Sequence, residues 1–107
     1  MKTKDEIIEK LGATLGRDPG APDGWMQIVC VIRVGRGTVG GWSKAYLDGE
    51  DTRNFYTQDD TIPFLAQKLR DVMVDENGDT WVACKITLVR ETAGINIQFE
   101  YDDPRTW

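Results

Sequence analysis

The sequence predicts an α+β two-layer sandwich, an antiparallel sheet of four to five strands with two helices on one face. Three observations predict it. Two segments repeat apolar residues at helical spacing, and four or five repeat them with period two. The turns between neighbouring strand segments are too short to hold a crossover helix, so those strands pair antiparallel. The order along the chain is α-β-β-(β)-α-β-β, and its 107 residues form a single domain, since dividing such a length would leave each half near the limit of independent stability.

Thr3 is positioned to cap the first helix, with Glu6 three residues on completing a capping box. Ile7, Ile8, Leu11 and Leu15 make the apolar stripe of residues 4–15, and Gly16 ends it. Two prolines and two glycines mark residues 17–24 as a loop. Residues 25–34 are the strongest strand, with Met26, Ile28, Cys30, Ile32 and Val34 on its core face. Gly35-Arg36-Gly37 turns the chain into a second strand, 38–47, where Gly40-Gly41 suggests a bulge or bend. Asp48-Gly49-Glu50-Asp51 forms another turn, and residues 52–57 add a short third strand.

Asp59, Asp60 and Thr61 offer caps for a second helix, and Pro63 suits its first turn. Ile62, Leu65, Ala66, Leu69, Val72 and Met73 form its apolar face to about residue 74, before a polar turn at 75–79. Residues 80–90 place Val82, Cys84, Ile86 and Leu88 on one face. Residues 95–101 alternate without fault, Ile95, Ile97, Phe99 and Tyr101 against Asn96, Gln98 and Glu100.

Composition excludes more than it assigns. No apolar run approaches the ~18–20 residues of a membrane span, and the charged start Met1-Lys2-Thr3-Lys4-Asp5-Glu6 does not resemble an export signal. A cytoplasmic protein is expected. Residues 1–47 carry a net +2, whereas residues 48–107 carry a net −7. A pI near 4.6 argues against nucleic-acid or anionic-membrane binding, which needs clustered Lys and Arg. It favours a basic protein partner drawn in by the acidic field, unless the acidity serves solubility alone. Cys30 and Cys84 lie in apolar, β-branched stretches and are expected as buried, reduced thiols.

The absence of histidine removes Ser-His and Cys-His nucleophile pairs and the commonest zinc ligand. No phosphate-binding glycine motif is present. Asp75-Glu76-Asn77-Gly78-Asp79 is no calcium loop, because its glycine falls at the fourth position and Ile86, not Glu, at the twelfth. Catalysis, cofactors and metals are therefore not expected, and the carboxylate clusters read as solvated turns. The second sheet face has more to offer. Trp25, Gln27, Val29, Val31 and Arg33 on one strand, with Trp81, Ala83, Lys85, Thr87 and Val89 on another, would set exposed tryptophans among polar groups, as protein interfaces do. The alternative is that Trp25 and Trp81 pack half-buried at strand ends.

The amphipathic first helix, the Gly24-Trp25 entry into the first strand, the run Leu65-Ala66-Gln67-Lys68-Leu69-Arg70, the Trp81 strand and the closing Ile97-Gln98-Phe99-Glu100-Tyr101-Asp102-Asp103 together resemble the YezG-like bacterial immunity proteins. The resemblance covers nearly the whole chain in element order, and its most specific part is Phe99-Glu100-Tyr101-Asp102-Asp103. It implies a small acidic protein that binds and neutralises a cognate toxin domain of a polymorphic or contact-dependent inhibition system, with no catalytic motif to carry over. The toxin is expected to be a basic nuclease, occluded stoichiometrically. Asp48, Glu50, Asp51, Trp81, Glu100, Tyr101, Asp102 and Asp103 are the expected contacts. The alternative is an acidic secretion chaperone for an effector protein.

Overall fold

A computed structural model describes residues 3–35, 38–77 and 81–101. Helix α1 covers Lys4–Gly16 and α2 covers Thr61–Asn77. The strands are β1 (Gln27–Gly35), β2 (Thr38–Tyr46), β3 (Thr52–Phe55), β4 (Ala83–Val89) and β5 (Gly94–Glu100). They form one antiparallel sheet in the order β3-β2-β1-β4-β5, which is the α+β arrangement expected.

The Thr3 hydroxyl accepts a hydrogen bond from the Glu6 amide at 3.3 Å, satisfying one of the free donors at the start of α1. Ile7, Leu11 and Leu15 of α1 and Ile62, Leu65, Ala66, Leu69 and Met73 of α2 then pack on Ile28, Cys30, Ile32 and Val34 of β1 and Cys84, Ile86 and Leu88 of β4. Both helices therefore lie on one side of the sheet. The alternate residues of each strand point to the other side, which no described helix covers. β1 is the central strand and is buried on both faces, with Val29 and Val31 buried as well. In register, Val31 lies between Trp42 of β2 and Lys85 of β4, and Val29 between Lys44 and Thr87.

Four expectations are corrected. α2 continues to Asn77, so Asp75 and Glu76 belong to a helix rather than a turn. Met26 is exposed instead of facing the core. The chain bends there, its amide donating to the Tyr46 carbonyl at 2.7 Å and its carbonyl accepting from the Arg90 amide at 2.9 Å. No bulge occurs at Gly40-Gly41, because β1 and β2 pair residue for residue throughout. Gly41 is needed for close approach: a Cβ there would overlap the Val31 carbonyl. β3 is also shorter than expected and stops at Phe55.

The loops at the helix ends are fastened by one buried carboxylate. Asp18, just after α1, accepts hydrogen bonds from the Gly20 amide at 2.8 Å, the Gln58 amide at 2.8 Å and the Asp59 amide at 2.8 Å. It is buried despite its charge, which is tolerable because backbone donors replace its lost water. The contact ties the loop after α1 to the entrance of α2 across some forty residues of chain. Gly20 is part of the same joint, since a Cβ there would strike the Tyr56 carbonyl.

Replacing Asp18 by Ala should therefore destabilise the protein by about 2 kcal/mol or more, the cost of stranding part-buried amides that had a charged acceptor. Urea unfolding measures it. Asp18→Asn should recover part of the loss, because a single amide oxygen accepts fewer of these bonds.

Candidate partner-binding surface

Trp81 does not lie on the surface. Its side chain is 0 % exposed and packs in the core, its ring centroid 5.5 Å from that of Phe99. Strict alternation would have sent it to the open face. However, the chain bends at Val82 before β4 begins, and the indole turns under the sheet. Its carbonyl accepts a hydrogen bond from Arg70 Nε of α2 at 2.9 Å, which pins the bend. Trp25 is also buried. It precedes β1, joins the core, and carries the Arg90 guanidinium 4.2 Å from its ring centroid. The expectation of exposed Trp25 and Trp81 is thus corrected: both lie just outside the regular strands, where period two no longer governs direction.

The remaining expected contacts do not form one site. Asp48–Glu50 is a single 3-10 turn between β2 and β3, and Asp48 and Asp51 are exposed there. That turn follows Tyr46, at the end of the sheet where Tyr46, Gln27, Val89 and Gly94 lie in register. Glu100 aligns with Ala83, Arg33 and Gly40 at the opposite end, on the opposite edge strand. Tyr101 follows it and is exposed. Three strand spacings and six residues of strand separate the two corners, roughly 25 Å. Asp102 and Asp103 lie outside the described residues.

A different group of residues does come together. On β2, Trp42 is 37 % exposed and Tyr46 38 % exposed, both on the open face, with the Lys44 ammonium 5.8 Å from the Tyr46 ring centroid. Beyond the edge of β2, Tyr56 is 79 % exposed and Phe64, on the first turns of α2, is 64 % exposed. Trp42 and Tyr56 line the same groove, with Phe55, Ile62 and Pro63. Trp42 and Tyr56, exposed and lining one groove, are the residue types that anchor protein interfaces. The signal was present in sequence as period two through residues 42–46, but the register was needed to place it beside Tyr56.

The open face is not acidic. Arg33, Lys44 and Lys85 share it with Glu100 as the acidic counterpart on the far strand, and the other acidic residues among those described lie in turns, loops and helices. Among the described residues no group of three or more His, Cys, Asp or Glu side chains is placed to hold a metal ion. Compared with known proteins, the chain matches no family model and no curated relative.

The two thiols are unbridged and buried on the core face. Cys30 pairs with Ile86 and Cys84 with Ile32, a diagonal relation whose ~7–8 Å reach is too long for a disulfide. Burial pushes the Cys30 thiol up to about 11, partly offset by a hydrogen bond with Ser43. Burial, reinforced by nearby Cys30, pushes Cys84 up to about 12. Neither supplies a thiolate nucleophile near neutral pH.

Both thiols should resist a disulfide reagent in the native state and react at once in urea. Because the folded pKa values exceed the usual 9.0, this contribution to stability is complete below about pH 9 and is lost as pH rises toward 11–12. Cys30→Ser with Cys84→Ala should flatten that alkaline decline, as followed by denaturation at a series of pH values.

Proposed function

We propose that this chain is a stoichiometric protein binder, an immunity protein that captures and neutralises a bacterial toxin domain. The observation that carries the reading is the pair of exposed aromatics Trp42 and Tyr56, which line one groove at the edge of β2, with Tyr46 exposed farther along the same strand face. A helix-backed sheet keeps Trp42 and Tyr46 in fixed positions, so little side-chain or backbone freedom is lost when a partner docks. The sequence resemblance to immunity proteins supplies the class of partner. The acidic turn at residues 48–51, directly after Tyr46, supplies a charged rim beside the aromatic anchors, suited to steering a basic toxin domain.

Copurification with the product of the adjacent gene tests the reading, and kinetics on that complex divide the roles. Asp48→Lys with Asp51→Lys should slow association by about tenfold at low salt, and the effect should fade as the Debye length shrinks. Trp42→Ala should instead raise the dissociation rate by the equivalent of about 2 kcal/mol at any ionic strength. Reversals that leave both affinity and its salt dependence unchanged would reduce the acidity to a solubility feature.

A further inference from the structure

The β3 strand covers only part of its neighbour. β2 runs over nine residues, but β3 pairs with residues 43–46 alone. Residues 38–42 have β1 on one side and, among the described residues, no strand on the other. The direction of the backbone groups follows from the ladder. The Val34 amide donates to the Val82 carbonyl at 2.9 Å, so even-numbered residues of β1 turn their N–H and C=O toward β4, and odd-numbered ones toward β2. Trp42, opposite Val31, therefore spends its backbone groups on β1. Gly41 turns its own outward.

An edge of this kind selects an extended polypeptide, because only a backbone offers donors and acceptors at the ladder spacing. Next to it lies a groove of about 220 Å³ lined by Gly41, Trp42, Phe55, Tyr56, Ile62 and Pro63. That volume is below the ~300–1,000 Å³ of small-molecule sites and suits one apolar side chain. Two carboxylates come just before its wall in the chain: Asp59 and Asp60 immediately precede α2, whose Ile62 and Pro63 line the groove. The Thr61 hydroxyl donates to Asp59 at 2.6 Å and the Thr61 amide at 2.9 Å. These bonds hold the carboxyl below its usual range and keep it charged.

We propose that the open edge of β2 accepts an extended segment of the partner as an added strand, with an apolar side chain in the Trp42–Phe55–Tyr56 groove and a basic one facing Asp59 and Asp60. Partner identity rests on the toxin-capture reading; the mode of docking does not. Gly41 serves both sides of the strand. Its missing side chain lets β2 close onto the Val31 carbonyl, while its backbone remains available outward.

The test is a titration of the isotope-labelled full chain, followed by amide chemical shifts, with a synthetic peptide of about eight residues alternating lysine and valine, enough to span residues 38–42. The Gly41 amide and the Trp42 indole should shift together, with Tyr56→Ser and Asp60→Lys each weakening binding by about threefold or more. Both substitutions are at exposed positions, and the unliganded spectra check that each variant is folded. A peptide alternating glutamate and valine should bind about tenfold more weakly, and the lysine–valine peptide with every backbone amide N-methylated, which lacks ladder donors, should leave Gly41 unmoved. Equal binding of the glutamate peptide would overturn the charge assignment. Shifts confined to other strands, or none, would overturn the docking mode. Shifts of Gly41 that grow with the concentration of the chain alone would assign the edge to a second copy and overturn it too. A chain that copurifies with the toxin domain while Gly41 stays unperturbed keeps the function and loses this mode. One that binds the lysine peptide at Gly41 but captures no toxin does the reverse.

Discussion

The Asp18 carboxylate is the constraint on which the proposed docking margin depends. A charged oxygen pair taken out of water needs donors, and here they come from Gly20, Gln58 and Asp59. In accepting them Asp18 decides where the loop between β3 and α2 runs. That loop carries Tyr56 outward, ends β3 at Phe55, and leads through Asp59 and Asp60 into α2, whose Pro63 lines the groove. Had the chain continued in register past Phe55, it would have paired with Trp42 and Gly41 and closed the edge of β2. The short strand, the exposed aromatics and the free backbone thus share one cause.

The rest of the molecule provides stiffness. β1 is apolar along its core face and, at Val29 and Val31, buried on the open face as well, and the helices cover the even face with a layer of Leu, Ile and Met. On the other face Val29 and Val31 are buried between Lys44, Thr87, Trp42 and Lys85, although no described helix covers them. Long side chains can cover them because their stems are apolar while their ends remain solvated. The surface that results is rigid beneath and polar above.

Much of this was legible in the sequence. Period two over β1, β4 and β5, and helical spacing over Ile7–Leu15 and Ile62–Met73, were enough for the element order and the layer arrangement, because those patterns are imposed by burial itself. The expectations that failed concern residues where no period applies. Trp25 and Trp81 precede their strands, and a bend at Met26 or Val82 reverses their direction. Met26 fits the β1 alternation in sequence yet lies at that bend. Asp18 was indistinguishable from any loop aspartate, since its partners are some forty residues away. The expected acidic contacts were legible as exposed turns, but their distribution was not: only the strand order places residues 48–51 and Glu100 at opposite corners. Trp42 and Tyr56 were visible as residues and invisible as neighbours.

The central claim is that the partner docks at the β2–β3 margin and not at the far corner of the sheet. Site-specific photo-crosslinking addresses it most directly, with a benzophenone amino acid placed singly at Tyr56 and at Tyr101, both exposed, in cells that also make the toxin domain proposed as partner, the product of the adjacent gene. The account predicts a covalent adduct with the toxin domain from position 56 and none from position 101. An adduct from position 101 alone would contradict it.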